Sequence, residues 1–220
     1  MKKYIKYIGL VILTATLFSC NKDSLNYPAG YVGISKITTY PIITVAGPAY
    51  VFLPKGGTYT DPGVSAKAGT ATVKVVTTGL PNMSVAGVYT VTYTATNADG
   101  FSATGSRTVA VYATDATATG NDFSGNYART TNASVAVWTK EAPGVYEVFN
   151  PGGAPGTVLT VIVFNPTGNT IFIPSQIAGG ALTSSASEST VPGTPGTITK
   201  YSMEIVNPGY GTSVRTFVKQ

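Results

Sequence analysis

Few side chains in this chain can do chemistry, and their types limit what that chemistry is. Histidine is absent and Cys20 is the only cysteine. That removes Ser-His-Asp and Cys-His nucleophile pairs, His/Cys metal sites and imidazole acid–base work. Nine carboxylates remain. Two would suffice for a glycosidase, but these are scattered singly, and each reads as a turn residue or a solvated strand position. The expectation is a protein without catalysis, and no metal or cofactor is implied. Four other side chains have the chemistry of a binding surface: Trp138 and Tyr210, whose rings can stack on a sugar, and the strand arginines Arg129 and Arg215. Each also has a structural reading: a core indole, a turn-capping tyrosine, and cations on a solvated face or in a cross-strand pair.

Cys20 has chemistry of a different kind. It follows Lys2, Lys3 and Lys6 and an apolar run from Ile8 to Phe18. That run is too short to cross a hydrocarbon core, which needs roughly 20 residues, and reads as a secretory signal. Leu17-Phe18-Ser19-Cys20 resembles a lipobox, the site at which bacterial lipoproteins are lipidated on the cysteine thiol and cleaved just before it. The resemblance implies a signal peptide over 1–19 and membrane attachment through acyl chains on Cys20. Residues 20–35 read as a lipidated tether. Within it, Lys22-Asp23 is similar to the short charged export signals of surface lipoproteins in Bacteroidetes, and Asp23-Ser24-Leu25 resembles an O-glycosylation sequon of that phylum. Together they predict an outer-membrane lipoprotein exposed at the cell surface.

The elements that must position these side chains are strands. Only 10% of residues are charged, while Gly, Thr, Val, Tyr and Pro abound. The signal carries away three of the fourteen cations, which leaves a formal charge of +2 against nine anions. No Lys/Arg run survives it, so nucleic-acid binding lacks its electrostatic footprint. Gly87–Asn97 is the clearest strand, with alternating faces, and Asp99-Gly100 turns it back into a partner. Short strands at such spacing, with no helical period, predict an all-β chain.

Three blocks carry a further resemblance: Pro41-Ile42-Ile43-Thr44, then Gly57-Thr58-Tyr59-Thr60-Asp61-Pro62-Gly63-Val64, then Gly87 to Gly100. In that order they look like the immunoglobulin-like domain repeated in many bacterial surface proteins. The resemblance implies an Ig-like β-sandwich over 36–113, serving as a spacer. The acidic stretch that usually follows the Asp-Pro-Gly block is here Ser65-Ala66-Lys67-Ala68-Gly69, so a calcium role loses its ligands.

Residues 114–120 have no apolar anchor and read as a linker to a second antiparallel β domain over 121–220, a barrel or a sandwich. Three Asn-Pro elements, at Asn150, Asn165 and Asn207, end apolar strands. Residues 179–196 read as a long polar loop. Phe123-Ser124-Gly125-Asn126-Tyr127 together with Tyr146 looks similar to C-terminal modules of small Bacteroidetes lipoproteins, a likeness that implies no activity. Tyr127, Tyr146 and Tyr201 are expected in the core. Both faces of Val135-Ala136-Val137-Trp138 are apolar, so periodicity leaves open which way Trp138 points. The functional expectation is a lipid-anchored envelope protein whose C-terminal domain binds glycan. The alternative is a structural, adhesin-type or protein-binding lipoprotein with no small-molecule site.

Overall fold

The computed structural model describes residues 27–32 and 35–220, and no helix forms among them. Cys20, the expected signal peptide before it and Lys22-Asp23-Ser24-Leu25 lie outside the described residues. The chain divides into two compact units, Met1–Thr39 and Tyr40–Gln220. In the first, β1 (Tyr31–Val32) pairs with β2 (Ser35–Lys36) in a short exposed hairpin.

The larger unit begins with a β-sandwich. One sheet is β3 (Pro41–Val45), β5 (Val64–Ala68) and β6 (Ala71–Thr72), in that order. The other runs β4 (Tyr50–Pro54), β9 (Ser102–Tyr112), β8 (Gly87–Thr96) and β7 (Val75–Thr78), with β4 parallel to β9. Pro41 opens an edge strand, where its missing N–H costs no ladder bond. The alternation of β8 is realised: Val91, Tyr93 and Ala95 are buried, and Val91 and Tyr93 pack with Val109 and Val111 of β9. Asn97 builds the hairpin turn, its side-chain oxygen accepting from the amides of Asp99 and Phe101.

A charged group sits inside this sandwich. Arg107 of β9 is buried and donates from Nε to the Tyr93 hydroxyl (3.2 Å) and from its terminal nitrogens to the carbonyls of Ala46 and Pro48. Tyr93 in turn donates to Asp61 (2.6 Å), whose other oxygen accepts the Gly63 amide (2.9 Å) and lies 3.8 Å from Arg107. The Asp-Pro-Gly turn is thus tied to the core strands by one network.

Residues 121–220 form an eight-stranded antiparallel sheet curled into a nearly closed barrel. Its strands are β10 (Gly125–Arg129), β11 (Val135–Ala142), β12 (Val145–Phe149), β13 (Thr160–Phe164), β14 (Gln176–Ala178), β15 (Ala181–Pro192), β16 (Ile198–Val206) and β17 (Val214–Lys219). Their spatial order is β13-β12-β11-β10-β17-β16-β15-β14, which leaves β13 and β14 as the two free edges. Gln176 bridges those edges with a side chain in place of a strand. Its carbonyl oxygen accepts the Ile162 amide (2.9 Å), and its NH2 donates to the Ile162 carbonyl (2.8 Å). The interior is aromatic: Tyr127, Trp138, Tyr146, Tyr201 and Phe217 are all buried there, as expected for the three tyrosines.

Two features differ from the sequence reading. The expected polar loop over 179–196 is mostly the twelve-residue strand β15. Its Ser/Thr-rich sequence offers few apolar markers, yet Thr is a good strand former and Thr183 is fully buried. The short apolar run 170–173 adds no strand to the sheet, only an isolated bridge from Phe172 to Phe164. The segment 114–120 is itself docked: Ala118 is buried, the Asp115 amide donates to Pro166, and Thr114 donates to Pro143.

Candidate functional site

Antiparallel order places the β10–β11, β12–β13, β14–β15 and β16–β17 connections at one end of the barrel, the opposite end from the docked 114–120 segment. This mouth is where the site residues named from sequence converge, with one exception. Trp138 is 2% exposed and packs against Tyr127, Tyr146 and Tyr201 at ring-centroid distances of 5.8, 5.6 and 5.0 Å. This corrects the surface-platform reading of Trp138: its indole is a core residue with no face toward solvent. The physical reason is strand parity, since Ala136 and Trp138 point inward while Val137 points out.

The other three residues meet. Arg129 pairs across the ladder with Phe217, so both point to the interior face. Arg215, two residues before Phe217, shares that face. The inner rows of β10 and β17 therefore end in two arginines. The Arg215 guanidinium lies 5.0 Å from the centre of the Tyr210 ring, in a cation–π arrangement. Arg129 donates from Nη1 to the carbonyls of Gly152 (3.4 Å) and Gly153 (3.2 Å). Arg215 donates from Nη1 to the Ser213 carbonyl (3.3 Å). The Nε atoms of both arginines are buried and have no hydrogen-bond partner among the described residues. Burial, and then the neighbouring Arg129 cation, lower the Arg215 guanidinium from its ordinary value.

Turn chemistry builds the walls. Asn150, at φ 53°, accepts the Ala154 amide and donates to Val135, which holds the Asn-Pro-Gly-Gly turn against β11. A Cβ on Gly152 would stand 2.1 Å from the Tyr210 ring, and one on Gly153 would stand 2.8 Å from Arg129. Only glycine lets this turn close over both. Asn207 accepts the Gly209 amide and donates to Thr183, which presents Tyr210 from the β16–β17 turn. Tyr210 also walls a cavity of about 340 Å³ with Thr157, Leu159, Gly179 and Asn207, and its hydroxyl lies 3.4 Å from that of Thr157. Neither arginine lines that cavity, and Tyr210 is the residue that touches both it and Arg215. Thr157, Asn207 and the Gly152-Gly153 turn are the site residues the sequence reading missed. The turns themselves were legible, but their meeting depends on strand register.

The Glu141 and Glu147 carboxylates face outward from β11 and β12, where burial and then Glu141 push Glu147 up. Neither lines the cavity beside Tyr210. Among the described residues no group of acidic, histidine or cysteine side chains could hold a metal ion.

The architecture is an Ig-like sandwich packed on a nearly closed β-barrel with an open mouth. Residues 43–111 match the family model described as bacterial surface protein, Ig-like domain. The resemblance drawn from the three sequence blocks is borne out, and the chain carries such a domain. Among solved structures the chain is similar to the lipoprotein BT2262 from Bacteroides thetaiotaomicron, at 22% identity and a TM-score of 0.41, over 82% of this chain and 100% of that one. No curated protein matches the chain.

Proposed function

We propose that this chain is a lipid-anchored protein of the outer membrane, exposed at the cell surface, whose barrel mouth binds glycan without catalysis. The observation that carries the reading is Tyr210, a half-buried aromatic ring on the wall of a cavity of about 340 Å³ beside the Thr157 hydroxyl and the Asn207 amide. An aromatic face with hydroxyl and amide groups beside it is the chemistry that sugar rings require. The volume falls at the low end of the roughly 300–1,000 Å³ typical of ligand sites, which suits one terminal or kinked saccharide unit. The surface Ig-like domain supports an envelope address. The lipobox-like residues ending at Cys20 support anchoring. A glycan-array screen of the mature chain beside Tyr210→Ala tests the binding. Saturable binding lost in the variant, with circular dichroism unchanged, supports it; a panel without binding removes it. Loss of membrane partitioning in Cys20→Ala tests the anchor.

A protein-partner reading has one observation in its favour. Ile177 and Leu182 face each other across β14 and β15, both more than half exposed. Pull-down dependence on Leu182→Asp, with no glycan binding, would place it first.

A further inference from the structure

Arg215 at the mouth is a buried cation with no ion-pair partner among the described residues, and Arg129 beside it is half-buried. Guanidinium groups are seldom buried without a carboxylate, because an unpaired buried charge loses hydration and gains nothing in return. Arg107 follows that rule, with Asp61 at 3.8 Å. Arg129 and Arg215 do not: neither has a carboxylate within ion-pair distance among the described residues, Glu204 acts on Arg215 only from beyond it, and Arg129 is a near like charge to Arg215. Arg215 is only 8% exposed. Each guanidinium carries five donors in a fixed fork, yet among the described residues each hydrogen-bonds only through Nη1. Their inward placement is fixed by register and not by side-chain wandering, because Arg129 opposes Phe217 and Arg215 follows the same strand parity. The surrounding acceptors are neutral: backbone carbonyls of Gly152, Gly153 and Ser213, and the Tyr210 ring face.

We infer that Arg129 and Arg215 form a receptor for an oxyanion, and that the ligand at the mouth is an acidic saccharide carrying a carboxylate or a sulfate ester. Two convergent forks with spare donors match the planar pair of oxygens on a carboxylate or the oxygens of a sulfate, through charge-assisted bonds that neutral sugars cannot offer. Tyr210 is the wall common to both compartments, with its ring toward Arg215 and its hydroxyl toward the Thr157 side of the cavity. In this proposal a saccharide seated against Tyr210 turns its acidic substituent to the Arg215 side of the ring. The inference rests on the glycan reading above for its saccharide part and stands apart from it for the anion.

The test uses the mature chain with four probes: dextran, dextran sulfate, polygalacturonate and inorganic sulfate, each titrated by calorimetry at constant ionic strength. The variants are Arg215→Gln, Arg215→Lys and Arg129→Gln, with folding checked by circular dichroism and melting temperature. The expected result is binding of polygalacturonate or dextran sulfate, but not dextran, weakened at least about tenfold in Arg215→Gln. Arg215→Lys keeps the charge and loses the fork, so an equal weakening there separates a built site from general attraction to a polyanion. The polymer that binds identifies carboxylate or sulfate. Binding of dextran as tight as of its acidic counterparts, or acidic binding unchanged in all three variants, overturns the inference and leaves the glycan reading standing. Arg215-dependent binding of inorganic sulfate with no polymer bound supports the oxyanion receptor and overturns the glycan reading. If Arg215→Gln does not fold, calorimetry on Arg215→Lys and Arg129→Gln decides, and acidic binding unchanged in both, or none in the wild-type chain, overturns the proposal.

Discussion

The Arg107 network offers the sharpest quantitative check on the Ig-like half. Arg107→Met removes a guanidinium that is 1% exposed and keeps much of its stem volume. It strands the carbonyls of Ala46 and Pro48, and it takes from the Tyr93 hydroxyl its donor and from the Asp61 carboxylate its counter-charge. Removing one partner of a buried pair costs about 3–5 kcal/mol. The Asp61 side chain is 26% exposed and can partly rehydrate, which places the expected loss near the lower bound, about 3 kcal/mol. Asp61→Asn should cost less, and the double variant should fall short of the sum of the singles by roughly 1–2 kcal/mol, because the residues share one network. Urea unfolding of the mature chain at pH 7, followed by far-UV circular dichroism, measures all three. The pH dependence has a fixed sign. Burial pushes Asp61 up, but the Tyr93 hydroxyl, the Gly63 amide and Arg107 outweigh it and hold the carboxyl below its ordinary value. A depressed carboxylate contributes stability above its unfolded value of about 3.9 and loses it as pH falls through the folded value. The gap between wild type and Asp61→Asn should therefore close in acid. A loss below about 1 kcal/mol for Arg107→Met, or strict additivity in the double variant, refutes the network.

Other expectations are simpler to read. The emission of Trp138, the single tryptophan, should be blue-shifted and resist iodide quenching in the native state, since the indole is buried; efficient quenching would contradict the packing. Gln176→Leu should cost about 2–3 kcal/mol by orphaning the Ile162 amide and carbonyl. Its signature is faster hydrogen exchange at Ile162, and unchanged exchange there argues against closure by the side chain. Gly144→Ala should lose about 2 kcal/mol or more, because Gly144 sits at φ 67° and the new Cβ would lie 2.4 Å from the Asn165 carbonyl and from Thr114. A variant as stable as wild type to urea would show that the 114–120 segment is not held there.

How much was legible in the sequence depended on whether a signal was local. The β8 alternation and the Asp99-Gly100 turn are local, and both appear as read. Trp138 was undecidable because Val135 and Val137 are as apolar as the inward face; Val137 nonetheless points outward and is 38% exposed. The β15 strand was hidden by its Ser/Thr composition, and the left-handed Ser187 interrupts its alternation near a register shift. Arg107 and Gln176 act on groups far away in sequence, and only tertiary pairing reveals them. Arg129, Arg215 and Tyr210 were each visible, but not their convergence. A usable signal did exist: Arg129 lies two residues after Tyr127 and Arg215 two before Phe217, so each arginine shares a face with an aromatic of core type.

The contact between the sandwich and the barrel bears on how such a mouth is presented. Ile162, Phe164 and Val145 would be an exposed apolar patch on an isolated barrel. Instead they form a buried cluster with Ala110 of β9, flanked by Phe52 and Val88. The connecting segment is pinned at the same end, through Ala118 and the Asp115 amide. A spacer joined by a free linker lets its cargo sample many orientations, at an entropic cost each time the cargo must meet a fixed target. Here the barrel is held to the sandwich by apolar packing, and the mouth lies at the far end of the barrel from that segment. The two halves therefore act as one body, in which the direction of the mouth relative to the Ig-like sandwich is set by core residues and not by chain flexibility.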